Sequence, residues 1–301
     1  MAARWLRSLA AAPLMLGGLL AVSLGPVPPA RALVPYVMVP GPDNLEGAGL
    51  GIAQVAARLL RLGQADDAAR LAALVVQLIP DDPRGWLLLA EAELRSNQPK
   101  QAGVALERAR ALDPRNPVIL FAQGALALRQ NNPSQANRLI REGLKLENRN
   151  AGAYFDLGNA LILMGQNGDA LAAFEKASGL RRDFWEAINN QALVLFEQGK
   201  DSEALQRWRR VLKISPTAAE PMLALAAALN ARNPGNRESI ELAHQALASD
   251  PNYVLEAYQK EQLWGNRLRA ATSSLLGQAA LKADVERAQA NAGGSSDDGE
   301  P

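Results

Sequence analysis

AGAYFDLGNALILMGQNGDALAAFEKASGLRRDF, residues 151–184, reads as helix, turn, helix: Tyr154, Leu157 and Gly158 in the first arm, Gly165 at the turn, Ala170, Phe174 and Ala177 in the second. It is one copy of a series. Ala170 recurs as Ala68, Ala102, Ala136 and Ala204, a strict spacing of 34 residues. A fixed period of this length marks a helical repeat array.

Other columns keep the register. Ala56, Ala90, Gly124, Gly158 and Ala192 stand twelve residues before those five alanines, the column continues one repeat further at Ala226, and all are small. Small side chains let two antiparallel helices approach closely. Gly63, Asn97, Asn131, Gly165, Gly199 and Asn233 form a third column of glycine and asparagine only. These residue types accept the left-handed backbone that ends a helix, so the column predicts the turn of each hairpin. Pro80, Pro114 and Pro216 share one further register, where proline breaks one helix or starts the next.

The pattern resembles the tetratricopeptide repeat, W-x2-L-G-x2-Y, then A-x3-F, then P. The fourth unit carries Tyr154, Leu157, Gly158, Ala170, Phe174 and Ala177, with Arg182 in place of the proline; the second carries Trp86, Leu89, Ala102, Ala109 and Pro114. The resemblance covers 49–253 and divides into units 49–82, 83–116, 117–150, 151–184, 185–218 and 219–253. The sixth needs one extra residue near Asn233-Pro234-Gly235. The expected fold is all-α, a right-handed α-solenoid of about six such units. Trp264, Leu268, Ala271 and Leu275 lie on one helical stripe and predict a C-terminal capping helix within 254–292. Residues 293–301, rich in Gly, Ser, Asp and Glu, predict a disordered tail.

Residues 1–32 have another character. Arg4 and Arg7 precede an apolar run from Leu9 to Leu24, and Ala30-Arg31-Ala32 offers a small-residue cleavage site. The pattern predicts a secretory signal peptide, with a membrane anchor over 9–24 as the alternative. Either places the repeats outside the cytoplasm, in a periplasm or thylakoid lumen. Residues 33–48, with Pro35, Pro40, Gly41 and Pro42, predict an extended lead-in or linker. The absence of cysteine permits an oxidising compartment without requiring one. Cleavage would remove Arg4, Arg7 and Arg31 from 32 basic residues against 31 acidic ones, leaving a slightly acidic chain. That balance gives no reason to expect nucleic acid, whose binding rests on clustered cations.

Catalytic chemistry has few candidates. His244 is the single histidine, so no paired-imidazole metal site can form, and no nucleophile elbow or phosphate-cradling loop accompanies it. It reads as a partly exposed helix residue. Asp66 and Asp67 suit the first turn of a helix. Arg207, Arg209, Arg210 and Lys213 read as a solvated convex face, with anionic lipid headgroups as the alternative ligand. No enzyme activity, cofactor or metal is expected.

A binding role is expected instead, in the concave face that tetratricopeptide units build from their first helices. Leu87, Phe121 and Phe155 form one apolar column; Leu60, Leu94, Leu128, Ile162 and Phe196 form another. Exposed, they suit an extended peptide or amphipathic helix of a protein partner; the alternative is core packing between repeats. Asn159, Asn189 and Asn190 fall where family members carry asparagines that hold a peptide backbone; repeat-to-repeat hydrogen bonding is the alternative. The plan also resembles cyanobacterial and plastid tetratricopeptide scaffolds, with Phe184-Trp185-Glu186-Ala187-Ile188-Asn189-Asn190 and Gln262-Leu263-Trp264-Gly265 carrying the similarity. That resemblance implies an exported scaffold or assembly factor for a photosynthetic membrane complex or pigment synthesis. A permanent structural component of an envelope or membrane complex is the alternative.

Overall fold

The structure is a computed structural model that describes residues 41–293. The predicted signal peptide, most of the lead-in segment and nearly all of the tail lie outside the described residues. Six helical hairpins follow one another: α1 (Pro42–Arg61) with α2 (Ala65–Leu78), α3 (Pro83–Arg95) with α4 (Pro99–Leu112), α5 (Pro117–Arg129) with α6 (Pro133–Leu146), α7 (Ala151–Leu163) with α8 (Asn167–Leu180), α9 (Trp185–Glu197) with α10 (Asp201–Ile214), and α11 (Ala219–Arg232) with α12 (Arg237–Ser249). The second helix of each hairpin also packs on the first helix of the next, which makes the stack continuous. None of the described helices is long and apolar enough to cross a membrane.

Local signals explain the boundaries. Asp82, Asn116 and Asn150 cap α3, α5 and α7, accepting from the backbone N–H of Arg84 at 2.9 Å, Val118 at 3.0 Å and Ala153 at 2.9 Å. Proline at the first helical position starts α3, α4, α5 and α6, where its missing N–H would have no helical partner anyway. Five of the six turn residues have the expected left-handed backbone: φ is 79° at Gly63, 57° at Asn97, 55° at Asn131, 74° at Gly165 and 77° at Gly199. The sixth differs. Asn233 is extended at φ −145°, and Gly235 takes the positive φ of 72°. The extra residue displaces the turn, and Asn230 Oδ1 holds it by accepting from Gly235 N at 3.0 Å.

The small-residue column lies where the helices of a hairpin touch. A Cβ at Gly158 would sit 2.4 Å from Phe174 Cε1, and one at Gly124 would sit 2.5 Å from Ile140 Cγ1. Ala56, Ala90, Ala192 and Ala226, the alanines of this column, are at most 1% exposed.

Beyond the sixth hairpin the expectation of one capping helix is corrected. The segment forms three helices, α13 (Glu256–Glu261), α14 (Asn266–Leu276) and α15 (Lys282–Asn291), with 3-10 turns at Pro251–Val254 and Ala279–Leu281. The break before α14 comes at Leu263, a left-handed residue with φ 65° that ends α13, so Trp264 precedes the helix it was expected to join. Leu268 and Leu275 are fully buried while Ala271 is half-buried. α15 packs on α12, where Asp284 meets His244 Nδ1 at 2.6 Å. α14 instead folds back onto α11 and α9.

Gly158→Ala should lower stability by about 1–3 kcal/mol, because Phe174 must leave its position to admit a methyl group. Thermal unfolding followed by circular dichroism measures it; an unshifted midpoint would show that the aromatic ring moves aside freely.

Candidate functional site

On α7 the face turned toward α8 is Leu157, Gly158 and Leu161, so the opposite stripe is Gly152, Asp156, Asn159 and Leu163 at helical spacing. By the 34-residue register the matching stripe is Arg84, Leu88, Glu91 and Arg95 on α3, Val118, Ala122, Ala125 and Arg129 on α5, and Glu186, Asn190, Leu193 and Glu197 on α9. This is the concave surface. Val118 and Leu163 are its exposed large apolar residues in the middle units, 47% and 42% accessible.

The two apolar columns expected to line the groove lie beside that stripe. Leu87, Leu94, Leu128, Phe155 and Ile162 are half-buried and pack against the core, Phe155 with its ring 5.1 Å from Phe184 and 5.7 Å from Phe174. Phe121 is 9% exposed, Leu60 4% and Phe196 1%. Part of each half-buried side chain reaches the surface, while Leu60 and Phe196 are core.

The three asparagines form one directed relay. Trp208 Nε1 donates to Asn189 Oδ1 at 3.0 Å, Asn189 Nδ2 donates to Asn190 Oδ1 at 3.3 Å, and Asn190 Nδ2 donates to Asn159 Oδ1 at 3.0 Å. An indole can only donate, so it fixes the orientation of every amide after it. Asn189 is thereby buried and held by Trp208 of its own unit, Asn190 is buried and bonded across to α7, and Asn159, half-buried, spends its oxygen on Asn190 and leaves its Nδ2 hydrogens unspent. One turn away stands Asp156, which has no hydrogen-bond or ion-pair partner among the described residues; burial lifts its carboxyl to about 6.

The groove of the last two units is closed by the chain itself. Covered by α14, α9 is buried continuously from Ala187 to Phe196 and α11 from Pro221 to Asn230. Glu197 caps α14, accepting from Arg267 N at 3.1 Å and Leu268 N at 2.8 Å. Gly265 is required there, since a Cβ would lie 2.2 Å from Glu197 Cδ. The Arg267 guanidinium lies 4.0 Å over the Phe196 ring, donates to Asp201 Oδ2 at 2.8 Å and also donates to the carbonyl of Phe196. Trp264 Nε1 donates to Glu220 at 3.0 Å, and burial pushes that carboxyl up to about 7.

The Arg267 bond to a helix-terminal carbonyl repeats a device found along the stack. Arg95 donates to the carbonyl of Leu60 at 3.3 Å and Arg129 to that of Leu94 at 2.6 Å. Leu163, Glu197 and Ala231 occupy the same register in later units and cannot do this. Arg267 supplies the guanidinium for Phe196; the corresponding carbonyls of Leu128 and Ile162 receive only the turn N–H of Asn131 at 2.9 Å and of Gly165 at 2.8 Å.

The convex face is more interlocked than its charge suggests. Arg207 donates to Gln191 at 3.0 Å, Arg209 pairs with Glu238 at 2.8 Å, and Arg210 reaches the carbonyl of Arg182 at 3.3 Å. Sequence reasoning missed Asp156, Val118, Leu163 and Glu197 as groove residues. Their register was visible, but they share no residue type from unit to unit.

Two family models, each described as tetratricopeptide repeat, match residues 59–125 and 155–219. Among solved structures the chain is similar to PilF of Pseudomonas aeruginosa, with 20% identity, 74% of this chain and 99% of that one covered, and a TM-score of 0.62. A thermophilic tetratricopeptide protein of Thermus thermophilus shares 20% identity over 60% of this chain and 98% of its own, with a TM-score of 0.52. YrrB, described as a tetratricopeptide protein with an unusual peptide-binding site, shares 18% identity over 64% and 99%, with a TM-score of 0.50. No curated protein matches the chain. At these identities the likenesses show the fold.

Glu220 yields a pH prediction. Its carboxyl titrates near 7 when folded against an ordinary 4.5, so the folded chain holds an extra proton between those values. The stability this contributes is complete below about 4.5 and is lost as pH rises through about 7. The melting temperature should therefore fall from pH 5 to pH 8, and Glu220→Gln should fall less. Equal falls in both chains would show that Glu220 does not take up the proton.

Proposed function

The chain belongs to the tetratricopeptide-repeat family, and we propose that it is a non-enzymatic scaffold or assembly factor that captures a protein segment in the concave groove of its middle units. The observation that carries this reading is the contrast between the two ends of the groove. Over α9 and α11 the surface is filled by α14, a helix of the same chain held by apolar burial, a capped N-terminus and one arginine. Over α5 and α7 the same kind of surface stands open, with Val118 and Leu163 exposed and Asn159, its oxygen spent on Asn190, on the same stripe. Helix-in-groove and extended-segment docking both use such a surface. YrrB, which shares the fold, is a precedent for peptide binding.

Size limits the affinity. Four apolar anchors at about 1.5–3 kcal/mol each, less roughly 2–5 kcal/mol for ordering a flexible segment, leave about 1–10 kcal/mol, so a micromolar complex, about −8 kcal/mol, stands toward the strong end of the range. Reversible capture fits an assembly factor better than a permanent structural part. Export rests on Arg4, Arg7, the apolar run 9–24 and Ala30-Arg31-Ala32, and directs the search for partners to the periplasm or thylakoid lumen.

The test is crosslinked affinity capture with the full chain, followed by titration of each captured partner against Val118→Ser, Leu128→Ser, Leu163→Ser combined. Two of the three side chains are substantially exposed, so helicity should survive, and affinity should drop roughly tenfold or more for two or three lost apolar contacts. A folded triple variant that binds the same partners with parent affinity would remove the groove from the mechanism. A second test follows the N-terminus: fusion of residues 1–40 to an export reporter should deliver it across the membrane, and retention in the cytoplasm would refute export.

A further inference from the structure

Resting on the groove reading above, we propose that the concave face of α5, α7 and α9 selects its partner by a basic side chain, lysine or arginine, which pairs with Asp156 while Asn159 donates to a main-chain carbonyl of the same segment. The occupant is a protein segment with a cation at one position and apolar groups beside it, facing Val118, Leu128 and Leu163.

Charge complementarity supports the choice. α7 and α9 carry Asp156, Glu186 and Glu197 and not one lysine or arginine. Of these carboxylates Glu197 is used by α14, and Glu186 stands close enough to Glu220 to add to the rise in that group's pKa. Asp156 is the one facing the open groove. The nearest arginine in the register, Arg129, is already committed to the carbonyl of Leu94. The fold thus desolvates a carboxylate and supplies no cation to it, which costs stability unless a ligand completes the pair.

The chain itself shows what completes such a surface. Three helix-terminal carbonyls on the concave side, those of Leu60, Leu94 and Phe196, each accept from a guanidinium, and the third guanidinium, Arg267, arrives on a docked helix rather than from the stack. The carbonyls of Leu128 and Ile162, at the ends of α5 and α7, lack this donor. An arriving basic segment meets in these units carbonyls that hold one N–H and lack the guanidinium their counterparts have, whereas an acidic one meets repulsion.

The amide relay adds direction. Because Trp208 can only donate, the relay spends Asn159 Oδ1 on Asn190 and leaves the Nδ2 hydrogens of Asn159 unspent, so this amide is set to donate to a ligand carbonyl. Asn159 and Asp156 are three residues apart on one helix face, so a donor for the main chain and an acceptor for a side chain stand within one turn.

The experiment is selection of a displayed random-peptide library on the full chain, on Asp156→Asn and on the Val118, Leu128, Leu163 triple serine variant, all at pH 8, where the carboxylate is charged. The expected result is enrichment of lysine or arginine at one position in peptides selected by the parent chain. Asp156→Asn should lose that preference while keeping the apolar one, and peptides from the parent should bind it about tenfold or more weakly. Asp156→Asn removes a desolvated charge, so its melting temperature at pH 8 should not fall below the parent's. Leu163→Arg gives an independent reading: by the register of Arg95 and Arg129 it places a guanidinium near the carbonyl of Leu128, and it should weaken basic peptides about tenfold. Equal basic enrichment on Asp156→Asn would overturn the assignment to Asp156. Groove-dependent peptides without a basic preference would overturn this inference and leave the groove reading standing; peptides indifferent to the triple variant would overturn both.

Discussion

The close approach of the two helices in each hairpin is the constraint on which the rest depends. Gly158 admits Phe174 and Gly124 admits Ile140 at distances that no side chain larger than hydrogen could share. Alanine serves where the facing residue leaves a little more room. Each hairpin thereby buries one face of its first helix completely against the second, and its flanks against neighbouring units. One stripe per first helix is left without an internal partner. Repetition along the stack sets these stripes side by side, so the groove is a geometric remainder of how the hairpins pack.

A remainder of this kind has to be covered, solvated or used. At the C-terminal end the chain covers it. α14 buries Leu268, Thr272 and Leu275, takes its N-terminal cap from Glu197, and returns Arg267 to the end of α9. The arrangement is reciprocal: the carboxylate that α9 contributes satisfies backbone N–H groups of α14, and the guanidinium that α14 contributes satisfies a backbone carbonyl of α9. Glu220 and Trp264 repeat the exchange between α11 and the segment preceding α14. Capping the stack and closing its groove are here one structural act, since the residues that end the solenoid are also those that fill its concave side.

The period, the hairpins and the turns were legible because every copy must make the same contact, and identical contacts leave identical residue types in register. The sixth turn departed because an inserted residue moved the left-handed position from Asn233 to Gly235. The groove was legible only in part, for the same reason inverted. Apolar columns such as Leu94, Leu128 and Ile162 repeat because they pack, and repetition therefore pointed to the flanks of the groove. The stripe at its floor, with Arg95, Arg129, Leu163 and Glu197 in one register, varies because no common contact constrains it. Asn190 proved to be bonded across to the preceding unit and Asn189 to Trp208 of its own, and Asn159 is left with its Nδ2 hydrogens unspent, an order set by Trp208 nineteen residues from Asn189. The docking of α14 left no local trace: Glu197 and Leu268 are separated by 71 residues and by the three hairpin arms α10, α11 and α12 and the short α13.

That variable register gives the stack its polarity. In the second and third units an arginine from the first helix closes the end of the first helix before it, so the early groove neutralises its own acceptors. From the fourth unit onward the arginine is replaced by leucine, glutamate and alanine, and the acceptors pass to whatever docks. Where α14 docks, it brings Arg267 to one of them. Between Arg129 and Arg267 lie the carbonyls of Leu128 and Ile162 and the carboxylate of Asp156, the one stretch of the concave face whose electrostatics nothing within the described chain completes. A solenoid built from near-identical units thus acquires a distinct site through the interruption of a single column, without any change in fold.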